Sequence, residues 1–399
     1  MLPHINVEVF CVDAQSATVL RSAVADRRMM RTHSTVHMGG IAAAVQLFQA
    51  QATPNLLVVE TQAAREGLLA ELSSLAEVCQ PETKVVVIGH VNDVLLYRDL
   101  IRQGVSEYLV APVNQLQFIE AIAALYRDPG AKPIGRVLAF VGAKGGVGSS
   151  VIAQNCGWML AGEHGSDTVI ADLDLAFGTV GLNFNQDIST PISDVLSQPE
   201  RVDAVSIERL LTKVGERLSL FSGPGGVDRD FPVEPPAIDS VLSTMRATVP
   251  FAVLDIPSQW APWVKFALVQ SDQVVITVTP ELASLRNAKS IIDLLKTARP
   301  NDPPPKLVLN QTGIPKRPEI SAPDFSKAVG VPVSAVIPFD AQSFGLAQTN
   351  GQTVFEVAPK SKAAEALKGL VQQLAGPVVK KATPASHSLL ARLSKLRKK

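Results

Sequence analysis

The sequence predicts an α/β protein made of two successive doubly wound, mostly parallel sheets, and three observations carry that prediction. Short β-branched apolar runs alternate with segments of helical spacing along most of the chain. The alternation breaks at YRDPGAKPIGR (residues 126–136), a concentration of Pro, Gly and charge that reads as a linker, and then restarts. The first strand after the restart runs into the glycine-rich stretch FVGAKGGVGSS (residues 140–150) and from there into a helical pattern.

In the first half, INVEVFCVD, NLLVVE, KVVVIG and EYLVAP are apolar, β-branched and four to eight residues long, as buried parallel strands are. STVHMGG is a weaker strand candidate between the first two. AAREGLLAELSSLAEVC and VNDVLLYRDLIRQG have apolar spacing near 3.6, the second stopped by glycine. Five βα units of this kind make a doubly wound sheet. In the second half the strand candidates are VLAFVG, DTVIADLD, FAVLDIP, DQVVITVTP, KLVLNQ and VSAVIPFD, with helices such as LRNAKSIIDLLKTA between them. The expected division is a first domain over residues 1–126, a linker over 127–136, a larger domain over 137–379 and a tail over 380–399.

The chain has 399 residues, 46% hydrophobic and 19% charged, which reads as globular and soluble rather than disordered. No apolar run approaches the roughly 20 residues that span a bilayer, and the N-terminus does not read as a signal peptide. The three cysteines, Cys11, Cys79 and Cys156, are far apart, so neither a disulfide framework nor a zinc or iron–sulfur site is indicated, as suits a reducing cytoplasm. Formal charge is zero overall, yet residues 380–399 carry seven Lys or Arg and no acid, leaving −7 on the rest. In that tail Leu389, Leu390, Leu393 and Leu396 recur at helical spacing among basic residues. Such a stretch fits an anionic membrane surface, a docking partner or a disordered tail, the first being the working reading.

The loop at residues 142–150 has the pattern of a phosphate-binding loop: Gly142 and Gly148 at the right spacing, Ser150 as the magnesium-binding hydroxyl, a strand before and a helix after. Glycines let the amides of Ala143, Lys144, Gly145, Gly146, Val147 and Gly148 converge on phosphate, and the helix N-terminus adds favourable potential. Ser149 stands where the pattern has lysine.

Lys144, early in AKGGVGSS, makes the loop resemble the KGGxGK[ST] signature of MinD/ParA P-loop ATPases. The resemblance implies ATP and Mg²⁺ as cofactors and a homodimer sandwiching ATP, with Lys144 reaching the partner's phosphates. In VIADLDLAFGTV it implies that Asp174 orients the attacking water and Asp172 supports the metal shell; in FAVLDIPSQ, that Asp255 faces magnesium through water. Asn310 of LVLNQT would read the adenine, and Pro338, Phe339 and Asp340 of VIPFD would pack on the base. Lys144 and Asp174 are thus the catalytic candidates. Losing the lysine at position 149 removes a charge-assisted hydrogen bond of roughly 1.5–3 kcal/mol, about one to two powers of ten in affinity. Binding survives that loss more readily than hydrolysis, which depends on electrostatic stabilisation.

The first half resembles the receiver domains of response regulators over nearly all of residues 5–126, but not their chemistry. Where receivers carry an acidic pair, a phosphoacceptor aspartate, a hydroxyl and a lysine before proline, this chain has Asp13-Ala14, Glu60, Gly89 and Ala111-Pro112. An interaction scaffold without a phosphorylation switch is expected, Glu60 as a mimic of the activated state being the alternative. Cys11 and His90 read as packing or loop residues, and His33 and His37 lack a third metal ligand.

A receiver-like domain ahead of a MinD/ParA-like domain is the layout of the CpaE/TadZ proteins of Tad (Flp) pilus assembly. LDIPSQWAPWVKFALVQSDQVVITVTPELASLRNAKSIIDLL and NGQTVFEVAPKSKAAEALKGLVQQLAG resemble their second half. The resemblance implies a cytoplasmic, often polar, dimeric ATP-binding protein that positions the pilus secretion ATPase and inner-membrane platform, with a polar landmark as a further partner. Rivals are a partition ATPase, for which the second domain lacks a basic stripe so that no nucleic acid is expected; an iron-protein-like reductase, for which Cys156 is misplaced; a division-site regulator; and a non-hydrolysing localisation scaffold, which Ser149 keeps open beside the main reading of ATP binding with weak or partner-stimulated hydrolysis.

Overall fold

The computed structural model describes residues 2–127, 134–188, 192–196, 204–223 and 232–376; the basic tail and most of the linker lie outside them. Two sheets result. The first comprises β1 (Ile5–Cys11), β2 (Thr32–Met38), β3 (Leu56–Glu60), β4 (Lys84–Gly89) and β5 (Glu107–Val110), all parallel, in the order β2-β1-β3-β4-β5. The second comprises β6 (Arg136–Gly142), β7 (Thr168–Asp172), β8 (Thr212–Lys213), β9 (Leu218–Phe221), β10 (Phe251–Ile256), β11 (Gln273–Val278), β12 (Lys306–Thr312) and β13 (Val333–Pro338). Their order is β13-β12-β11-β6-β10-β7-β9-β8, parallel except where β8 runs antiparallel to β9. The α/β reading with a mostly parallel sheet therefore holds.

Strands β3, β7, β10 and β11 are buried along their whole length, as expected of runs with helices on both faces. On one face of the second sheet Leu254, Ile276 and Val278 pack with Leu242, Met245, Val264 and Leu268. On the other, Phe140, Val253 and Val308 pack with Ile152, Leu367 and Leu370. Each such fully buried side chain contributes about 1.5–3 kcal/mol, which fixes where β6, at the middle of the sheet, delivers the loop that follows it.

The β8–β9 pair is an element that the sequence reading does not contain. Two and four residues are too few for alternation to show; β9 is specified by pairing with β7, and β8 by pairing with β9. The weak candidate STVHMGG is β2, its two glycines falling outside the strand, with Gly39 in the left-handed region at φ 111° as N-cap of the next helix.

The first sheet's domain is tied to the second by charges taken out of solvent. Asp302, 3% exposed, accepts from Arg27 Nε at 2.6 Å, from Arg28, and from Arg299 Nε at 2.8 Å. Arg27 also donates to the Gln270 carbonyl, and Arg31 to Asp239 at 2.6 Å. Burial alone would raise the Asp302 carboxyl; the hydrogen bonds and charges of Arg27 and Arg299 outweigh it and hold the group below the usual carboxylate range.

Candidate functional site

Strand β6 lies between β10 and β11 and ends at Gly142; the helix Ser149–Ala161 starts at the other side of the loop. The connection from β10 to β11 steps across β6, so the loop sits at the carboxyl edge where strand order reverses, the place where α/β sheets bind ligands. Struts hold its carbonyls outward. Asn287 Nδ2 donates to the Ala143 carbonyl at 2.9 Å, Gln311 Nε2 to that of Gly146 at 3.0 Å and Asn310 Nδ2 to that of Val147 at 2.8 Å. The Ala143 amide is used on the Thr277 carbonyl at 2.9 Å. The amides of the five residues from Lys144 to Gly148 have no protein acceptor among the described residues. Consecutive free amides at a helix N-terminus form an anion cradle. Gly148 is its hinge, with φ +87° and Asn310 Nδ2 only 2.6 Å from where a Cβ would stand.

Three carboxylates face the loop from the strand ends. Burial pushes Asp255 up to about 8, with the charge of Asp172 adding, a hydrogen bond from Ser150 opposing and Asp174 adding further. Burial also raises Asp172, to about 6, against hydrogen bonds from the amides of Val180 and Asp174, each at 3.1 Å. Asp174 accepts from the Phe177 amide at 3.0 Å. The turn closes tightly because Gly178 has no Cβ; one there would lie 2.7 Å from the Asp174 carbonyl and against the Asp172 carboxylate. Buried carboxylates beside a hydroxyl are a hard-oxygen set that a divalent cation neutralises. Among the described residues no group of three or more His, Cys, Asp or Glu side chains is placed to hold a metal ion by itself.

These raised values have a consequence for stability. Asp172 and Asp255 titrate above the ordinary carboxyl value of 3.8 in the folded chain, so between about pH 4 and 8 the folded state holds more protons than the unfolded one. This cluster's contribution is complete below about pH 4 and is lost as pH rises through about 6 and about 8. Without added cation, the urea midpoint should fall over that range. Asp255→Asn should flatten the decline and stabilise the chain by about 1–3 kcal/mol at pH 8.5; an unchanged slope would show that these carboxyls are not perturbed.

The remaining candidates fall on the same edge in different states. Lys144 Nζ is 3.0 Å from Glu281 Oε1, both side chains about 40% exposed, a pair worth at most about 1 kcal/mol and readily broken. Ser149 is buried with its Oγ unpartnered, so it supplies neither the charge of a lysine nor a hydrogen bond to the protein. Asn310, expected to read adenine, is buried and spends its amide on the loop. Of residues 338–340, at the end of β13, Phe339 is half exposed with its amide on the Thr312 carbonyl, and Asp340 caps the next helix through the Ser343 amide at 2.9 Å. Pro338 is the last residue of β13. Glu281, Asn287, Gln311 and Thr277 take part without having been singled out in the sequence, where nothing about an isolated amide or acid marks it as a strut.

The receiver-like edge is occupied by its own side chains. Glu60 Oε2 accepts from the amides of Val12 (2.7 Å) and Asp13 (3.1 Å), and Oε1 from Ser16 Oγ at 2.6 Å. Asp13 caps the helix Ala14–Val24. At Gly89 the Tyr108 ring lies where a side chain would be, 2.8 Å from an added Cβ, its hydroxyl donating to the Val91 carbonyl. Glu60 thus stands, fully hydrogen-bonded, at the place where receivers carry the acceptor aspartate, and the space for the partner hydroxyl is filled by Tyr108. Cys11 is buried, His90 is exposed, and His37 pairs with Glu8 at 2.6 Å while stacking on Phe10.

Comparison with known proteins adds three likenesses; no family model matches the chain. The pilus assembly protein CpaE of Caulobacter crescentus is 50% identical over 97% of its solved chain and 32% of this one, TM-score 0.31. A ParA family ATPase of Chlorobium tepidum is 25% identical over the whole of its chain and 61% of this one, TM-score 0.54. The septum site-determining protein MinD of Pyrococcus horikoshii, solved with Mg-ADP, is 23% identical over the whole of its chain and 62% of this one, TM-score 0.55.

Proposed function

Because the chain belongs to the CpaE family of pilus assembly proteins and carries a MinD/ParA-like domain, we propose that it is a nucleotide-dependent positioning protein that binds Mg²⁺ and ATP at residues 142–150. The observation that supports this most is the run of free amides from Lys144 to Gly148 at the N-terminus of the helix Ser149–Ala161. In this reading the amides take the β- and γ-phosphates, and Ser150 with Asp255 and Asp172 holds the magnesium, which neutralises phosphate charge. Asp174 positions water, Asn310 and residues 338–340 meet the base, and Lys144 leaves Glu281 to reach the phosphates of a second copy. ATP then closes a homodimer that docks the secretion ATPase and inner-membrane platform at a polar landmark, with the tail on the membrane. No helix of the described residues is long and apolar enough to cross a membrane.

Ser149 favours slow turnover, and a scaffold that binds without hydrolysing is the second reading; its unpartnered hydroxyl replaces the charge most useful in phosphoryl transfer. Turnover and mass with Mg·ATP separate the two. Wild type should dimerise and hydrolyse slowly, Lys144→Ala should bind with about tenfold or smaller loss yet stay monomeric, and Ser149→Lys should raise turnover at least about tenfold. Dimerisation with ATP but no turnover in wild type, unaltered by Ser149→Lys, would favour the scaffold; monomers throughout would rule out the sandwich.

A further inference from the structure

A cavity of about 610 Å³ lies between the two domains, away from the loop at residues 142–150, and its volume falls in the range that takes a small-molecule ligand. Its walls come from both sheets' domains. Arg28, Arg31 and Met30 follow the helix Ala14–Val24, Ile119 and Ala123 stand on the helix Gln115–Leu125, and Arg246 and Phe266 belong to helices of the second sheet.

Two properties of the lining point to the chemistry of an occupant. Five arginines face it against three acids, Glu120, Asp239 and Asp272. Behind the wall Asp302 pairs with Arg27 and Arg28, and Asp26 with Arg28; Asp239 is engaged by Arg31 and Asp272 by Arg246, so Arg127 is the lining arginine with no acid partner among the described residues, and the others offer only the N–H groups that their carboxylates leave over. Arg246 is 7% exposed, and its Nε has no hydrogen-bond partner, a buried donor left unsatisfied at the cavity wall. The second property is apolar surface: Met30 is 57% and Ile134 50% exposed, beside Ile119, Ala123 and Phe266. Arginine donors over an apolar floor suit a flat apolar group carrying phosphate, since guanidinium both forks onto phosphate and stacks on planar rings.

We propose that this interdomain cavity binds a soluble nucleotide, phosphates toward Arg28, Arg31 and Arg127 and base on the floor of Ile119, Ala123 and Phe266, at a site distinct from the phosphate-binding loop. The site bears on the loop's surroundings through Gln270. That residue lines the cavity, receives Arg27 on its carbonyl at 3.2 Å and ends the helix Pro262–Gln270, which begins seven residues after Asp255. Occupancy would therefore report to the edge that carries Asp255. The inference does not depend on ATP binding at residues 142–150.

The test is isothermal titration of the full chain with cyclic diguanylate and with GDP, each repeated in excess Mg·ATP, alongside co-sedimentation with phosphatidylglycerol vesicles. At least one nucleotide should bind more tightly than about 1 mM. The affinity should fall about tenfold or more in Arg31→Ala and in Ala123→Trp, and it should not change in Lys144→Ala or with Mg·ATP present. Ala123→Trp fills the cavity without touching the interdomain ion pairs, so its loss of binding cannot be ascribed to undocked domains. The proposal is overturned if neither nucleotide binds, if Mg·ATP displaces what binds, if Ala123→Trp binds as wild type does, or if only the vesicles are bound.

Discussion

Gly148→Val should abolish nucleotide binding and lower stability by about 2–6 kcal/mol. The first cost is conformational: φ is +87° at this position, where a β-branched residue is strained by about 1–3 kcal/mol. The second is steric and polar together. The new Cβ would meet Asn310 Nδ2 at 2.6 Å and drive it from the Val147 carbonyl, leaving a buried hydrogen bond broken at about 1–3 kcal/mol more. Strut and cradle would fail at once, because the carbonyl released from Asn310 turns the adjoining amides away from a common point. Calorimetric titration with Mg·ATP should give no saturable binding, and the thermal midpoint should drop by at least about 4 °C. Binding within about tenfold of wild type would place the nucleotide, if any, elsewhere.

Asp302→Asn should cost about 3–5 kcal/mol, because it leaves Arg27 and Arg299, at 10% and 5% exposure, as buried cations that have lost their charged partner. Arg28 and the Asn301–Asp26 contact sit in the same network, so the effect should appear as weakened docking of the first domain as well as a lower denaturation midpoint. Arg27→Met on its own should be destabilising, and combined with Asp302→Asn it should be less so than the sum, the coupling expected of direct partners. Since the Asp302 carboxyl is held below its ordinary value, its stabilisation is present above about pH 4 and is lost as pH falls through the folded value. Hydrogen exchange should show the segment at residues 26–31 losing protection in Asp302→Asn. Additive effects and unchanged exchange would mean that the two domains are not held by this carboxylate.

What was legible in the sequence was what has a period or a pattern. Fully buried parallel strands such as β10 and β11 are continuous apolar runs, and a glycine-rich loop between strand and helix is a local arrangement, so both stand out in one dimension. Strands β8 and β9 escaped because they are short, and because β9, on which β8 pairs, is itself specified by a neighbour more than forty residues away in the chain, β7. The struts escaped for a related reason. Asn287 reaches Ala143 across 144 residues and Gln311 reaches Gly146 across 165, and only the folded sheet makes such pairs neighbours. At Gly89 the sequence showed a missing hydroxyl, while the structure showed why the place is not open: Tyr108 fills it. The Asp302 network was invisible for the same reason, since Arg27 and Asp302 lie 275 positions apart and read singly as surface charges.

Equilibrium titration of the wild-type chain with Mg·ATP tests the central claim most directly. The account predicts one saturable site per chain in the micromolar range at neutral pH, weakened but not removed by chelating magnesium. That expectation rests on the amides from Lys144 to Gly148, which have no protein acceptor among the described residues and would carry the binding that Ser149 cannot supply. Failure to saturate below about 1 mM would contradict it and leave the glycine-rich loop a structural turn.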